Sequence, residues 1–464
     1  MDRDALLHDA VEHAQTWLDS LADRPVRATA SVEALRAKLG LPLSERGEDP
    51  RTVLASLARD AAPGLVAMPG PRYFGFVIGG SYPVALAADW LTSAWDQNCG
   101  LYVAGPAVAV LEETAGRWIC ELLGLPIDAG VGFVTGAQMA NFTGLACGRH
   151  VLLTRAGWDV EMKGLYGAPE IQVVVGEEAH VTVLRALRFL GLGQERVRRV
   201  AADEQGRMDP RALGPMLAEC HGPTLVCLQA GNVNTGAVDP LDELSRVAHA
   251  HGAWVHVDGA FGMWAAASAR TRPLVRGVES ADSWAIDAHK WLNVPYDSGV
   301  AVVRDADVMR ATMGSQASYL VRSTGLRDGV DYGPEFSRRG RGTPVYAVLR
   351  SLGRSGVEEL VDRCCALARR FAGQLSGEPR VQVLNEVVLN QVLVRFQPPS
   401  GGEADADAFT QQVVSRVQQD GTCWLGGSVW KGRQVMRISV SGWSTTEADV
   451  DCSVEAILRC AART

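Results

Sequence analysis

Asp282-Ser283-Trp284-Ala285-Ile286-Asp287-Ala288-His289-Lys290-Trp291-Leu292-Asn293-Val294-Pro295 is the stretch from which the fold of this chain is read. It starts as a short apolar run, which predicts a buried strand. It ends on His289-Lys290, flanked by Trp291 and closed by Pro295. A lysine leaving a buried strand among apolar neighbours loses its water, and a desolvated amine attacks carbonyl carbon. A snorkelling surface lysine is the commoner use of the residue. Here scarcity decides. The chain has only four lysines, Lys38, Lys163, Lys290 and Lys431. Lys38 falls in an amphipathic N-terminal helix, and Lys163 and Lys431 sit beside glycines in turn-like stretches. Lys290 alone has a core-facing context and is the candidate for an imine.

Upstream, Ala253-Trp254-Val255-His256-Val257-Asp258-Gly259-Ala260-Phe261-Gly262 repeats the pattern. A second apolar strand ends on a carboxylate followed by small residues. Asp258 could cap the next turn. Taken with Lys290, the stronger reading is a buried carboxylate that keeps a pyridine nitrogen protonated. Ala260 is small enough to let an aromatic ring lie against the strand.

These stretches, HVDGAFG at 256–262 and DSWAIDAHKWLNVPYDSG at 282–299, resemble the pyridoxal-phosphate-dependent group II amino acid decarboxylases. That family includes the aromatic-amino-acid, tyrosine, glutamate and histidine decarboxylases. The resemblance runs nearly end to end. It implies an α/β chain of the aminotransferase-like fold type I, with a doubly wound, mostly parallel sheet. Residues 1–82 would form an N-terminal helical arm, 83–353 a large cofactor-binding domain and 354–464 a smaller α/β domain. It further implies pyridoxal 5'-phosphate as cofactor, an L-amino acid as substrate, and a homodimer with its active site at the subunit interface. Lys290 would hold the cofactor as an imine, with Asp258 on its ring nitrogen. His180 and Ala260 would flank the ring, and His289 would contact the phosphate.

Composition is consistent with a reduced, cytoplasmic enzyme. The 464 residues are enough for two or three lobes. A net charge of -8 and the lack of a basic run argue against nucleic acid. No stretch of about twenty apolar residues predicts a membrane span. Met1-Asp2-Arg3-Asp4 is polar and unlike a secretory signal. The ten cysteines include no CxxC pair and the nine histidines no HExxH motif, so no metal site is expected.

In chain order, residues 5–21 and Val32–Leu39 predict amphipathic helices. Such an arm could fold on its own lobe, whereas the resemblance wraps it around a second subunit. Pro71–Val77 reads as an aromatic-rich strand, and the resemblance places Phe76 in the substrate pocket. Asn98 and Gly100 match another pocket wall. Aromatic decarboxylases carry bulky apolar groups there, so an amide and a bare Cα predict a roomier, more polar pocket. A polar or acidic substrate is expected as readily as an aromatic one.

Val131–Val134, Thr135-Gly136 and Ala137-Gln138 read as strand, tight turn and helix start, where free N–H groups can receive a phosphate. Ala137 and Gln138 replace the family's commoner Gly-Ser, leaving Thr135 or the Gln138 amide for the side-chain contact. His180 stands between strand Ile171–Val175 and a helix, in the "AH" context of the family's stacking histidine. The helix start favours a neutral imidazole there. Asn232 follows strand Leu225–Gln229, near the pyridine 3'-oxygen by resemblance. Thr135, His180, Asn232, Asp258 and Lys290 thus all follow predicted strand ends, where ligands of doubly wound sheets bind.

Met313–Gly342 has little periodicity, and loops of that length are often lids. Within it Tyr319 matches the family's loop tyrosine, which returns a proton to Cα. Strands Val392–Phe396 and Val435–Val440, and a capping box at Ser444–Glu447, complete a small α/β lobe. Alternative outcomes on the same fold are decarboxylation-coupled oxidative deamination, transamination, or a non-catalytic dimer.

Overall fold

The computed structural model describes residues 2–315, 325–400, 402 and 405–462. They fall into two compact units. The larger spans 79–369 and 385–392; the other joins 1–78 with 370–384 and 393–464.

The larger unit is built on seven strands: β1 (Gly130–Val134), β2 (Gln172–Gly176), β3 (Arg198–Val200), β4 (Thr224–Gln229), β5 (Trp254–Asp258), β6 (Ser283–Asp287) and β7 (Gly299–Val303). Their order is β1-β7-β6-β5-β4-β2-β3. Only β7 runs against its neighbours; β6, β5, β4, β2 and β3 pair in parallel. β1, β4, β5, β6 and β7 are buried at every residue. Burial on both faces is why they read as apolar runs rather than alternating ones. The mostly parallel α/β sheet is therefore as expected, and the strand ends that carry Thr135, His180, Asn232, Asp258 and Lys290 lie along one edge of it.

Helix Ala137–Arg155 packs on this sheet at unusually short range. A Cβ built on Gly144 would lie 2.8 Å from His256 Nδ1, and one on Gly148 would lie 2.7 Å from the Trp254 ring. Bare Cα atoms one turn apart let the helix backbone approach β5. Trp264 and Trp284 are fully buried. Their indole N–H groups donate to the carbonyls of Asp287 and Val278, both at 2.9 Å, which pins the two ends of β6.

The other unit carries β8 (Val381–Val383), β9 (Gln391–Phe396), β10 (Gly426–Trp430) and β11 (Arg433–Ser439), ordered β10-β11-β9-β8. Helices Arg3–Asp19, Val32–Leu39 and Pro50–Ala61 join it, and none buries a residue. The segment that follows packs on the C-terminal lobe: Val26 N–H donates to the Gly421 carbonyl at 2.8 Å, and Phe74 meets Phe371 edge-on.

Two local expectations are corrected. Pro71–Val77 is not a strand; only Tyr73 makes an isolated bridge, to Trp424. Phe76 and Val77 take φ values of 53° and 60°, so the chain turns there. The last helix, Glu447–Ala462, is capped two residues later than expected. Asp449 N–H donates to Thr446 Oγ1 at 3.3 Å and Thr446 N–H to Asp449 Oδ2 at 3.0 Å, so the reciprocal pair is Thr446/Asp449. No helix among the described residues is long and apolar enough to cross a membrane.

Candidate active site

Lys290 lies three residues beyond β6, in a turn that is largely buried. Its amine is not sheathed in apolar groups as the sequence implied. Asp287 Oδ2 lies 3.2 Å from Lys290 Nζ, and the two side chains are 4% and 17% exposed. Asp287 Oδ1 accepts the Ala137 N–H at 2.5 Å and lies 3.6 Å from His289 Nε2. One carboxylate thus ties the lysine, the histidine and the start of helix Ala137–Arg155 together. The sequence reading passed over Asp287, although it occupies the same strand-end position as Asp258.

This corrects the view of the helix start as a set of free donors. The Ala137 N–H is taken by Asp287, and Gln138 N–H is the next donor of the first turn. Thr135 and Gly136 form the turn before it. His289 stacks on Tyr296 with ring centroids 4.2 Å apart. Burial lowers the His289 pKa, with Lys290 adding to the effect and Asp287 opposing it. Burial likewise pushes the Tyr296 phenol up to about 12.

Asp258 closes β5 and is 4% exposed; its Oδ1 accepts the Ala260 N–H at 3.3 Å. The Ala260 carbonyl in turn accepts Asp287 N–H at 2.8 Å, so Ala260 is fixed between the ends of β5 and β6. His180 is the N-cap of helix Val181–Phe189. It lines a small cavity together with Asp258, Gln229 and Asp239. Asp239 accepts the N–H groups of Met208 and Gln229 at 2.8 and 2.7 Å, and burial raises its carboxyl to about 6. Asn232 Oδ1 accepts from Asn234 and Thr235 N–H at 2.8 and 3.2 Å, while its Nδ2 is buried and unpartnered.

The pocket-wall expectation for Asn98 and Gly100 changes. Asn98 Oδ1 accepts the Gly100 N–H at 2.8 Å, so the amide closes its own turn. A Cβ on Gly100 would lie 2.4 Å from the Phe336 carbonyl oxygen. The bare Cα is required for close packing and does not open space. Phe76 belongs to the other unit, where it is 58% exposed beside Trp424, itself stacked on Tyr73 at 5.0 Å. Tyr319 lies outside the described residues.

The donor set fits pyridoxal phosphate. A primary amine, a buried carboxylate at a strand end, an imidazole at a helix cap, a first-turn N–H and the orphaned Asn232 amide complement an aldehyde, a ring nitrogen, a ring face, a phosphate and a phenolic oxygen respectively.

The model of the pyridoxal-dependent decarboxylase conserved domain matches residues 33–397. The chain is 28% identical over 450 residues to aromatic-L-amino-acid decarboxylase of Bacillus atrophaeus, covering 95% of this chain and 92% of that protein. It is 29% identical over 437 residues to cysteine sulfinic acid decarboxylase of Mus musculus, covering 90% and 87%. Among solved structures, Oryza sativa TDC with PLP and tryptamine superposes with a TM-score of 0.92 at 25% identity, over 99% of this chain and 97% of that one. Mouse CSAD superposes with a TM-score of 0.92 at 25% identity, over the whole of both chains.

Proposed function

This chain belongs to the family of pyridoxal-dependent decarboxylases, and from that premise we propose how its residues divide the work. It converts an amino acid to the amine and CO₂ with pyridoxal phosphate as cofactor. When bound, the cofactor supplies an aldehyde and a cationic ring that draws the electron pair left behind by CO₂.

Lys290 provides the amine that holds the cofactor, and Asp287 orients it. Asp258 keeps the ring nitrogen protonated. His180 covers one ring face and Ala260 the other. Gln138 N–H, Thr135 and His289 receive the phosphate, and the Asn232 amide donates to the phenolic oxygen. Tyr319 returns a proton to the substrate carbon. By their names the relatives act on aromatic and on acidic amino acids, and the substrate of this protein is of one of those two classes.

The protein acts as a homodimer. Leu7, Leu18, Val32, Leu39 and Leu57 are exposed on helices with no buried residue, and a second copy would cover them. A reducing, cytoplasmic setting suits ten unpaired cysteines. The observation that carries the site assignment is the meeting of Lys290, Asp287, His289 and Ala137 N–H at the edge of the sheet. Borohydride reduction of the loaded protein followed by peptide mapping tests it: the label belongs on Lys290, and a label elsewhere refutes the assignment.

A further inference from the structure

Behind His180 a single run of hydrogen bonds leads into the core. His180 Nδ1 lies 2.7 Å from Thr182 Oγ1 and 3.4 Å from the Thr182 backbone nitrogen. Asn141 Nδ2 reaches Thr182 Oγ1 at 3.4 Å. Asn141 Oδ1 lies 2.8 Å from His256 Nε2. His256 Nδ1 lies 2.8 Å from Ser283 Oγ, which accepts the Trp254 indole N–H at 3.0 Å. Asn141, His256 and Ser283 are completely buried.

The run has a direction, because at its His180 end the Thr182 backbone N–H, a donor that cannot accept, faces Nδ1. Asn141, with Nδ2 on Thr182, turns Oδ1 to His256, so His256 carries its proton on Nε2. Its Nδ1 then accepts from Ser283, whose Oγ accepts the Trp254 indole N–H. The Asn141 amide donates to Thr182 Oγ1, and the Thr182 hydroxyl proton passes to His180 Nδ1. The backbone N–H of Thr182 approaches that same nitrogen. Reversing the last link would set a proton on His180 Nδ1 against the Thr182 backbone N–H.

We infer that this one-way chain fixes the tautomer of His180, holding Nδ1 as an acceptor and the proton on Nε2, with Thr182, Asn141, His256, Ser283 and Trp254 as positioning residues. His256 suits its place: burial depresses it to about 3, so through the neutral range it stays uncharged, one nitrogen donating and one accepting. The bare Cα of Gly144 lets the helix approach closely enough for Asn141 to reach His256. The consequence for chemistry rests on the assignment of His180 to the cofactor ring. An imidazole whose Nδ1 is occupied stays neutral there, and no second cation opposes the protonated pyridine.

The test is ¹⁵N NMR of the full-length, cofactor-loaded protein labelled at histidine, with the His180 signals identified by their loss in His180→Gln. The wild type should have an unprotonated Nδ1 and a protonated Nε2. Thr182→Val should move the Nδ1 signal, and Thr182→Ser should restore it. Asn141→Asp should move the Nδ1 signal as Thr182→Val does, because a carboxylate only accepts and would turn the Thr182 hydroxyl toward itself, leaving Nδ1 with the Thr182 backbone N–H alone. A proton on Nδ1 in the wild type overturns the inference, as does a Thr182→Val spectrum identical to wild type. If a variant fails to fold, the wild-type spectrum still decides. Should the tautomer be as expected but not respond to cofactor addition, the ring-stacking assignment fails and the chain of hydrogen bonds stands.

Discussion

The carboxylate of Asp287 holds the amine of Lys290 at 3.2 Å with one oxygen while the other caps the helix that begins at Ala137, 150 residues earlier. The lysine is thus aimed by a group that is itself anchored to the backbone. Removing that group frees the amine to swing and leaves the helix start without its acceptor.

Asp287→Ala should therefore slow covalent attachment of the cofactor. A hydrogen bond to a charged group is worth about 1.5–3 kcal/mol, which corresponds to a slowing of roughly ten- to a hundredfold. Mixing cofactor-free protein with pyridoxal phosphate and following the rise in absorbance measures the rate. A rate equal to wild type would show that Lys290 needs no such anchor.

Gly144→Ala puts a methyl group 2.8 Å from His256 Nδ1, against a ring held on both sides. Overpacking of this kind costs about 1–3 kcal/mol. Gly373, in the helix Gly342–Leu375, has nothing within 4 Å of an added Cβ. There the same substitution should stabilise by roughly 0.5–1 kcal/mol through helix propensity. Urea unfolding midpoints moving in opposite directions would bear out both; a neutral Gly144→Ala would mean the helix can shift without cost.

His256 makes stability depend on pH with a definite sign. Its pKa is about 3 in the folded chain against 6.5 in the unfolded one. Below about pH 6.5 the unfolded chain takes up a proton that the folded chain refuses, so stability is lost as pH falls toward 3, by ~1.4 kcal/mol per pH unit for one group. Asp239, raised to about 6, acts in the opposite sense between its two pKa values. Comparing wild type with His256→Asn cancels the Asp239 contribution. The stability gap between them should be largest near neutrality and should shrink on acidification. A gap independent of pH from 7 to 4 would refute the assignment of a neutral His256.

Much of the site was legible from residue type and position. The apolar runs that became β4, β5 and β6 are all buried, and the chemical residues after them stand on one edge because parallel strands point their ends the same way. Helix Val32–Leu39 has the expected bounds because Ser31 caps it and Gly40 ends it locally. Part of what failed depended on neighbours distant in sequence, and part on local backbone conformation. Gly100 looked like open space until the Phe336 carbonyl came to lie against it. Pro71–Val77 looked like a strand because its aromatics suit one, yet two left-handed residues turn the chain.

By itself, the sequence determined the mostly parallel sheet, the lysine and the aspartate, since burial periodicity and a scarce amine are local properties. Only the tertiary structure decided that Asp287 meets Ala137 and that His256 meets Asn141, 115 residues away. Those contacts follow from the strand order, which sets β1 beside β7 and β7 beside β6, and from a helix lying close enough to β5 to hydrogen-bond with it. Neither is written in any one segment, because each depends on where two separately folded pieces of chain come to rest.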